Sequence, residues 1–234
     1  WDAGTSTVSN TDGSITSNVR ANQSAGFSIV TYDDGTTNGT VGHGLNAAPD
    51  FIICKSRDVS VVWPTYHSAL TRNNYVPLND SGPSYTVSNL WGTADPTSSV
   101  FGVGTQNSDG NNDGQLVAFC WTAVEGYSAF GSYEGNGNAS GPFVFTGFKP
   151  RWIMIKNVDN YGTGYDWFIF DTKRDTFNVA NNPLKANLNE AEATSDSLDI
   201  LSNGFKIRTT ANGLNLNAHT HIYAAFAEHP LKTA

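Results

Sequence analysis

The sequence predicts an all-β fold, built as tandem antiparallel β-sandwich-like units that arose from an internal duplication. Three observations carry this prediction. Of the 234 residues, 38% are hydrophobic and only 15% charged, with 23 Gly, a turn-rich makeup short of helix formers. The apolar runs are short and are separated by Gly, Asn, Ser and Thr, the spacing of antiparallel strands and tight turns. Most telling, the second half of the chain repeats the first.

The repeat can be followed element by element. GFSIVTYDDGTTNG (Gly26 to Gly39) lies over GYSAFGSYEGNGNA (Gly126 to Ala139), and PDFIICKSR from Pro49 lies over PRWIMIKNV from Pro150. VVWPTYHS over YDWFIFDT aligns Trp63 with Trp167, as core residues, and Tyr66 with Phe170; LND at Leu78 meets LNE at Leu188. SVFGVGTQNSDG (from Ser99) over NGFKIRTTANG (from Asn203) precedes the last strands, LVAFCW and HIYAAF. Similarity is strongest in strand-like runs, as core faces restrict residue type and loops do not.

Within the first strand, alternation sends Phe27, Ile29 and Thr31 to one side and Ser28, Val30 and Tyr32 to the other. FIIC and WIMI are apolar on both faces, as strands central to a sandwich are. Asn38-Gly39, Asn136-Gly137, Asn203-Gly204 and Asn212-Gly213 read as tight turns. ANLNEAEA from Ala186 is either a helical turn or a polar loop.

WDAG at Trp1 resembles WTAV at Trp121. Residues 1–23 are therefore expected to be the end of a preceding repeat plus an extended connector, followed by a first β repeat at 24–125 and a second at 126–234. A single sandwich merged from both copies is the rival arrangement.

A net charge of −8, with 13 Lys and Arg scattered singly, supplies no basic face for a nucleic-acid backbone. No apolar run is long enough to cross a bilayer as a helix. Cys54 and Cys120 each sit inside an apolar run, as small buried hydrophobes.

The phrases TVSNTDGSITSNVRANQSAGFSIVTY, VGHGL…APDFIICK, EGYSAFGSYEGNG and IYAAFAEHP together resemble an uncharacterised repeat domain of bacteriophage tail-fibre and other virion structural proteins, notably from phages of aquatic bacteria and cyanobacteria. The resemblance spans nearly the whole chain. It implies a virion surface protein, made in the host cytoplasm, with no assigned catalytic residues. Similar sequences carry an acidic residue where Ala123 stands here, matching Glu228 of the second copy. The expected partners are other virion proteins, further copies of this chain (a trimer or a larger symmetric array, since exposed sheet edges need neighbours) and a host-surface glycan or protein. The expected function is that of a non-enzymatic, tail-fibre-like module contributing to host adhesion. A capsid decoration or head fibre is the alternative, and a glycan depolymerase a lesser one.

Candidate sites are few. Tyr75, Tyr85 and Trp91, with Tyr161 and Tyr165, stand in stretches rich in Asn, Asp and Ser. Flat rings beside amides and carboxylates are the surface chemistry of sugar and protein recognition. Asp109, Asn111 and Asp113, with Gly114 next, have the spacing of the front half of a calcium loop, but the twelfth position is Cys120, which cannot supply the closing carboxylate. Calcium is thus the one cofactor the sequence suggests, against the bland reading of a solvated turn. His219 and His221, placed on one face of a strand, could share a transition metal if a third ligand joined them. Asp166 and Asp171 flank a strand as a conceivable acid pair, and no GxSxG elbow is present.

Overall fold

The computed structural model describes residues 1–33, 38–105, 114–192, 194–195 and 197–228. The chain forms two compact units, Trp1–Leu78 with Tyr85–Val124, and Asn79–Ser84 with Glu125–Ala234. Both are antiparallel β, with two sheets closing on one core.

In the first unit the strands are β1 (Val8–Asn10), β2 (Ser17–Asn22), β3 (Phe27–Asp33), β4 (Gly39–Gly42), β5 (Phe51–Ser56), β6 (Pro64–His67), β7 (Asn74–Pro77), β8 (Tyr85–Thr86), β9 (Val100–Val103) and β10 (Gln115–Trp121). The large sheet runs β1-β2-β3-β10-β5-β6-β7-β8, and β4 pairs with β9 opposite it. Alternation puts Val30 and Tyr32 of β3, Leu116, Ala118 and Cys120 of β10, and Ile52 and Cys54 of β5 into the core, against Val41, Phe101 and Val103 of the small sheet.

The second unit repeats this order with β11 (Ser128–Glu134), β12 (Phe143–Phe145), β13 (Pro150–Asn157), β14 (Phe168–Asp171), β15 (Leu184–Lys185), β16 (Leu198–Leu201), β17 (Gly204–Ile207) and β18 (Thr220–Ala227). Its sheets run β11-β18-β13-β14-β15 and β12-β17-β16. β11, β18, β13, β14 and β15 thus take the places of β3, β10, β5, β6 and β7. The registers agree as well, because Tyr66 faces Ile52 where Phe170 faces Ile153. Phe101 and Phe205 occupy matching core positions on β9 and β17.

Hydrogen bonds repeat too. Ser56 Oγ accepts the amides of Asp58 and Val59, and Asn157 Oδ1 accepts those of Asp159 and Asn160. Asp58 Oδ2 then takes the Gln115 amide at 2.7 Å, and Asp159 Oδ2 the Thr220 amide at 2.6 Å. Ala123 and Glu228 differ for a local reason. In the first copy Asp50 accepts the Ala123 amide, so an acid there would face a carboxylate; in the second, Arg151 stands in Asp50's place and pairs with Glu228.

Several expectations need correction. Residues 1–23 are not a connector, since β2 pairs along β3 and β1 along β2. The overlay of the first strands is displaced by one residue: Tyr32 faces Leu116 and Tyr133 faces His221, so Tyr32 matches Tyr133 and not Ser132. A one-residue slip exchanges the two faces of a strand. LND and LNE do not match either, since Leu78 donates to Trp63 O as Ala186, not Leu188, does to Trp167 O. Of the two readings at Ala186 the loop holds, with a turn at Ala186 and Asn187; the helix among the described residues, α1 (Asn212–Asn215), stands where a tight turn was expected. Trp167 is buried, but Trp63 is only half-buried and lies under the Lys55 ammonium, 5.5 Å from the ring centroid.

Candidate functional site

The groups most able to do chemistry are spent on structure. Cys54 and Cys120 are free thiols in the core; burial pushes Cys54 up to about 12, opposed by the Tyr32 hydroxyl 3.8 Å away. His221 is fully buried, its Nε2 3.2 Å from Asn157 Nδ2 and its Nδ1 3.0 Å from His219 O, with the Tyr133 ring stacked on it at 4.9 Å. Burial first, against bonds to Asn212 and His219, lowers its pKa to about 4. His219 lies before the strand, not on it. Among the described residues no group of three His, Cys, Asp or Glu could hold a metal.

Lys156 ends the apolar run WIMIK, and its side chain is wholly buried. Nζ donates to Asn157 O at 2.7 Å, Tyr165 O at 2.9 Å and Ser81 O at 3.3 Å, so each ammonium proton has a carbonyl. Desolvation lowers its pKa to about 8, against the pull of Asp80 and Asp166. Through this bond, and Ser84 N to Val158 O, the loop Asn79–Ser84 is fixed in the second unit.

The predicted aromatic positions divide. Trp91 (1% exposed) and Tyr75 (6%) are core residues of the first unit, not loop faces. Trp91 meets Tyr66 edge-on at 5.8 Å and donates from Nε1 to Asn74 O, and Tyr75 packs against Tyr85. Polar neighbours in sequence conceal this burial, because the chain doubles back over the rings. Tyr85 and Tyr161 do reach solvent, at 42% and 73% exposed. Tyr165 is half-buried and receives a long bond from Asn160 at 3.5 Å. Asp109, Asn111 and Asp113, the calcium candidates, lie outside the described residues.

The acid pair is tied down. Lys185 holds Asp166 at 3.2 Å, and Asn187 Nδ2 donates to it at 2.8 Å. Burial works to raise the Asp171 pKa, but bonds from the Arg174 amide and guanidinium and the Lys173 amide outweigh it and hold the carboxyl below its usual range. Lys185 also meets Glu190 at 3.0 Å, in a cleft of about 260 Å³ floored by Phe168.

A more open hollow, of about 400 Å³, lies in the first unit between Tyr66, Ser68, Leu70, Thr71, Arg72, Asn73 and Asp95. Arg72 is set in place by Nη1 bonds to Gly92 O (2.8 Å) and Asn73 Oδ1 (3.1 Å), with the exposed Asp95 carboxylate 3.8 Å from Nε. Burial, then Asp95 and Asp50, pushes the Tyr66 phenol up to about 12, so it stays protonated. A fixed guanidinium, a carboxylate, two hydroxyls, an amide and a ring edge converge here, a donor and acceptor set matched to a polyhydroxyl ligand. None of these residues was marked by the sequence. One signal was present: Tyr66 matches Phe170, so one copy carries a hydroxyl at a core position where the other has none.

Fold and site define a duplicated antiparallel β protein with polar surface hollows. Its family follows from the sequence: the chain belongs to the DUF7483 family, a domain of unknown function, whose profile matches residues 1–230. No curated protein and no solved structure matches it.

Proposed function

We propose that the protein is a non-enzymatic structural module of a phage virion surface, tail-fibre-like, which binds a host-surface glycan in the hollow around Arg72. The observation that carries this reading is the convergence of the fixed Arg72 guanidinium, Asp95, Ser68 and Thr71 beside Tyr66. Such a set can exchange hydrogen bonds with sugar hydroxyls while Leu70 meets the apolar face of a pyranose. The likeness to virion structural proteins supports the location. Burial of Cys54 and Cys120 in the core, and engagement of His221, Asp166 and Asp171 in structural bonds, accord with binding rather than turnover.

The test is a glycan array, followed by host-cell pull-down with the whole chain. Binding is expected and should weaken at least tenfold in Asp95→Asn and Ser68→Ala, both at exposed positions. No binding to any susceptible host would sink the adhesion reading, and undiminished binding by both variants would sink its placement in the Arg72 hollow. An architectural role in a fibre or capsid decoration is the second reading, favoured by the exposed Phe143 and Phe145. It predicts self-association, a trimer foremost, by sedimentation.

A further inference from the structure

The two units follow one plan except along one side. In the first, Val8–Asn22 acts as an arm. Ser14 and Thr40 exchange side-chain to amide bonds, Ile15 N donates to Thr40 O at 3.0 Å beside β4, and Ser17 Oγ donates to Gly42 O. The same arm then pairs as β2 with β3, from Ser17 opposite Tyr32 to Asn22 opposite Phe27. It therefore runs from the edge of one sheet to the edge of the other and closes the sandwich. Val19 is part of the core, and Ile15 and Ala21 pack against it.

The second copy has no such segment in its own sequence, because the chain passes from Trp121 to Gly126 through Thr122–Glu125 alone. β11 and β12, the counterparts of β3 and β4, accordingly stand, among the described residues, at the ends of their sheets. Gly44 and Gly147 gauge the difference. They hold matching places, with φ of 72° and 83°. A Cβ on Gly44 would lie 2.9 Å from Val19 Cγ1 and 3.3 Å from Ala21 Cβ; on Gly147 it would meet, among the described residues, only the Phe145 ring at 3.9 Å. Phe143 and Phe145, the outward residues of β12, are 46% and 65% exposed.

We propose that this side of the second unit, along Gly131–Glu134 and Phe143–Gly147, is a seat for an extended arm supplied by another protein. The occupant is a strand with small residues at every second position, as Ser17, Val19 and Ala21 are in the resident arm, adding to β11 by main-chain hydrogen bonds. The described residues hold one such arm and two seats, so trading the resident arm between copies opens a seat for every one it fills. The visitor also differs from the resident arm at one point. Where Asn10 passes over Gly42, it meets the Phe145 ring, which calls for an apolar or small residue there.

The probe is a synthetic peptide with the sequence Ser14–Gln23, added to the whole chain and followed by hydrogen exchange. Saturable, at least fivefold slowing is expected in 131–134 and 143–147, lost with the Val19→Asp peptide and lost with the Phe145→Asp chain, whose substituted residue is exposed. Three results would overturn the proposal: no slowing there up to about 1 mM peptide, slowing confined to β3 and β4 through displacement of the resident arm, or equal slowing by the Val19→Asp peptide. This proposal does not depend on the Arg72 hollow, and either can fail without the other.

Discussion

His221 shows how one residue sets the pH range of the fold. Its folded pKa of about 4 lies below the ordinary value of 6.5. Between those values the unfolded chain binds a proton that the folded chain refuses, so stability is complete above pH 6.5 and is lost as pH falls toward 4. His43, lowered by burial, adds in the same direction. The expected loss from His221 alone is at most about 3 kcal/mol. Urea midpoints at pH 7 and pH 4.5 should differ less in His221→Gln than in the wild type. Asp58 and Asp159 offer a residue-scale test of the duplication. Each carboxylate caps the amide that begins the last strand of its unit, so each Ala variant should cost about 1 kcal/mol, and the two losses should add.

At the scale of elements, the small sheet of the second unit has one face buried and one open, and substitution should separate them. Phe205→Ala, on the core face of β17, should cost about 3–5 kcal/mol. Phe145→Ala, on the open face of the neighbouring strand, should change stability by less than about 0.5 kcal/mol; urea denaturation measures both. The strands that could be read from sequence were those with large inward residues, such as Phe101 and Phe205, where pattern and packing coincide. β2 escaped notice because its inward residues, Ser17, Val19 and Ala21, are small or polar and its outward ones are Asn and Arg, which reads as a linker. The first-strand overlay slipped because Gly126 matches Gly26 in identity, whereas register is fixed by Tyr133 against His221. The Lys156 site was hidden for another reason: beside the neighbouring Asn157 carbonyl on its own strand, its carbonyls come from two separate loops, at Ser81 and Tyr165, a convergence no linear pattern records.

For the molecule as a whole, the junction between the units falls between Val124 and Glu125, and it invites dissection there. The Asn79–Ser84 loop makes that division incomplete, because both its ends run into the first unit while its Ser81 carbonyl and Ser84 amide are bonded within the second. A fragment beginning at Glu125 would leave the Lys156 ammonium one carbonyl short in a desolvated place, so it should melt below the same unit in the whole chain, as calorimetry would record. A protease that nicks the backbone after Val124 would, by the same token, yield two pieces that stay clasped on a native gel, and only further cuts at both ends of the loop, near residues 79 and 84, would let them drift apart.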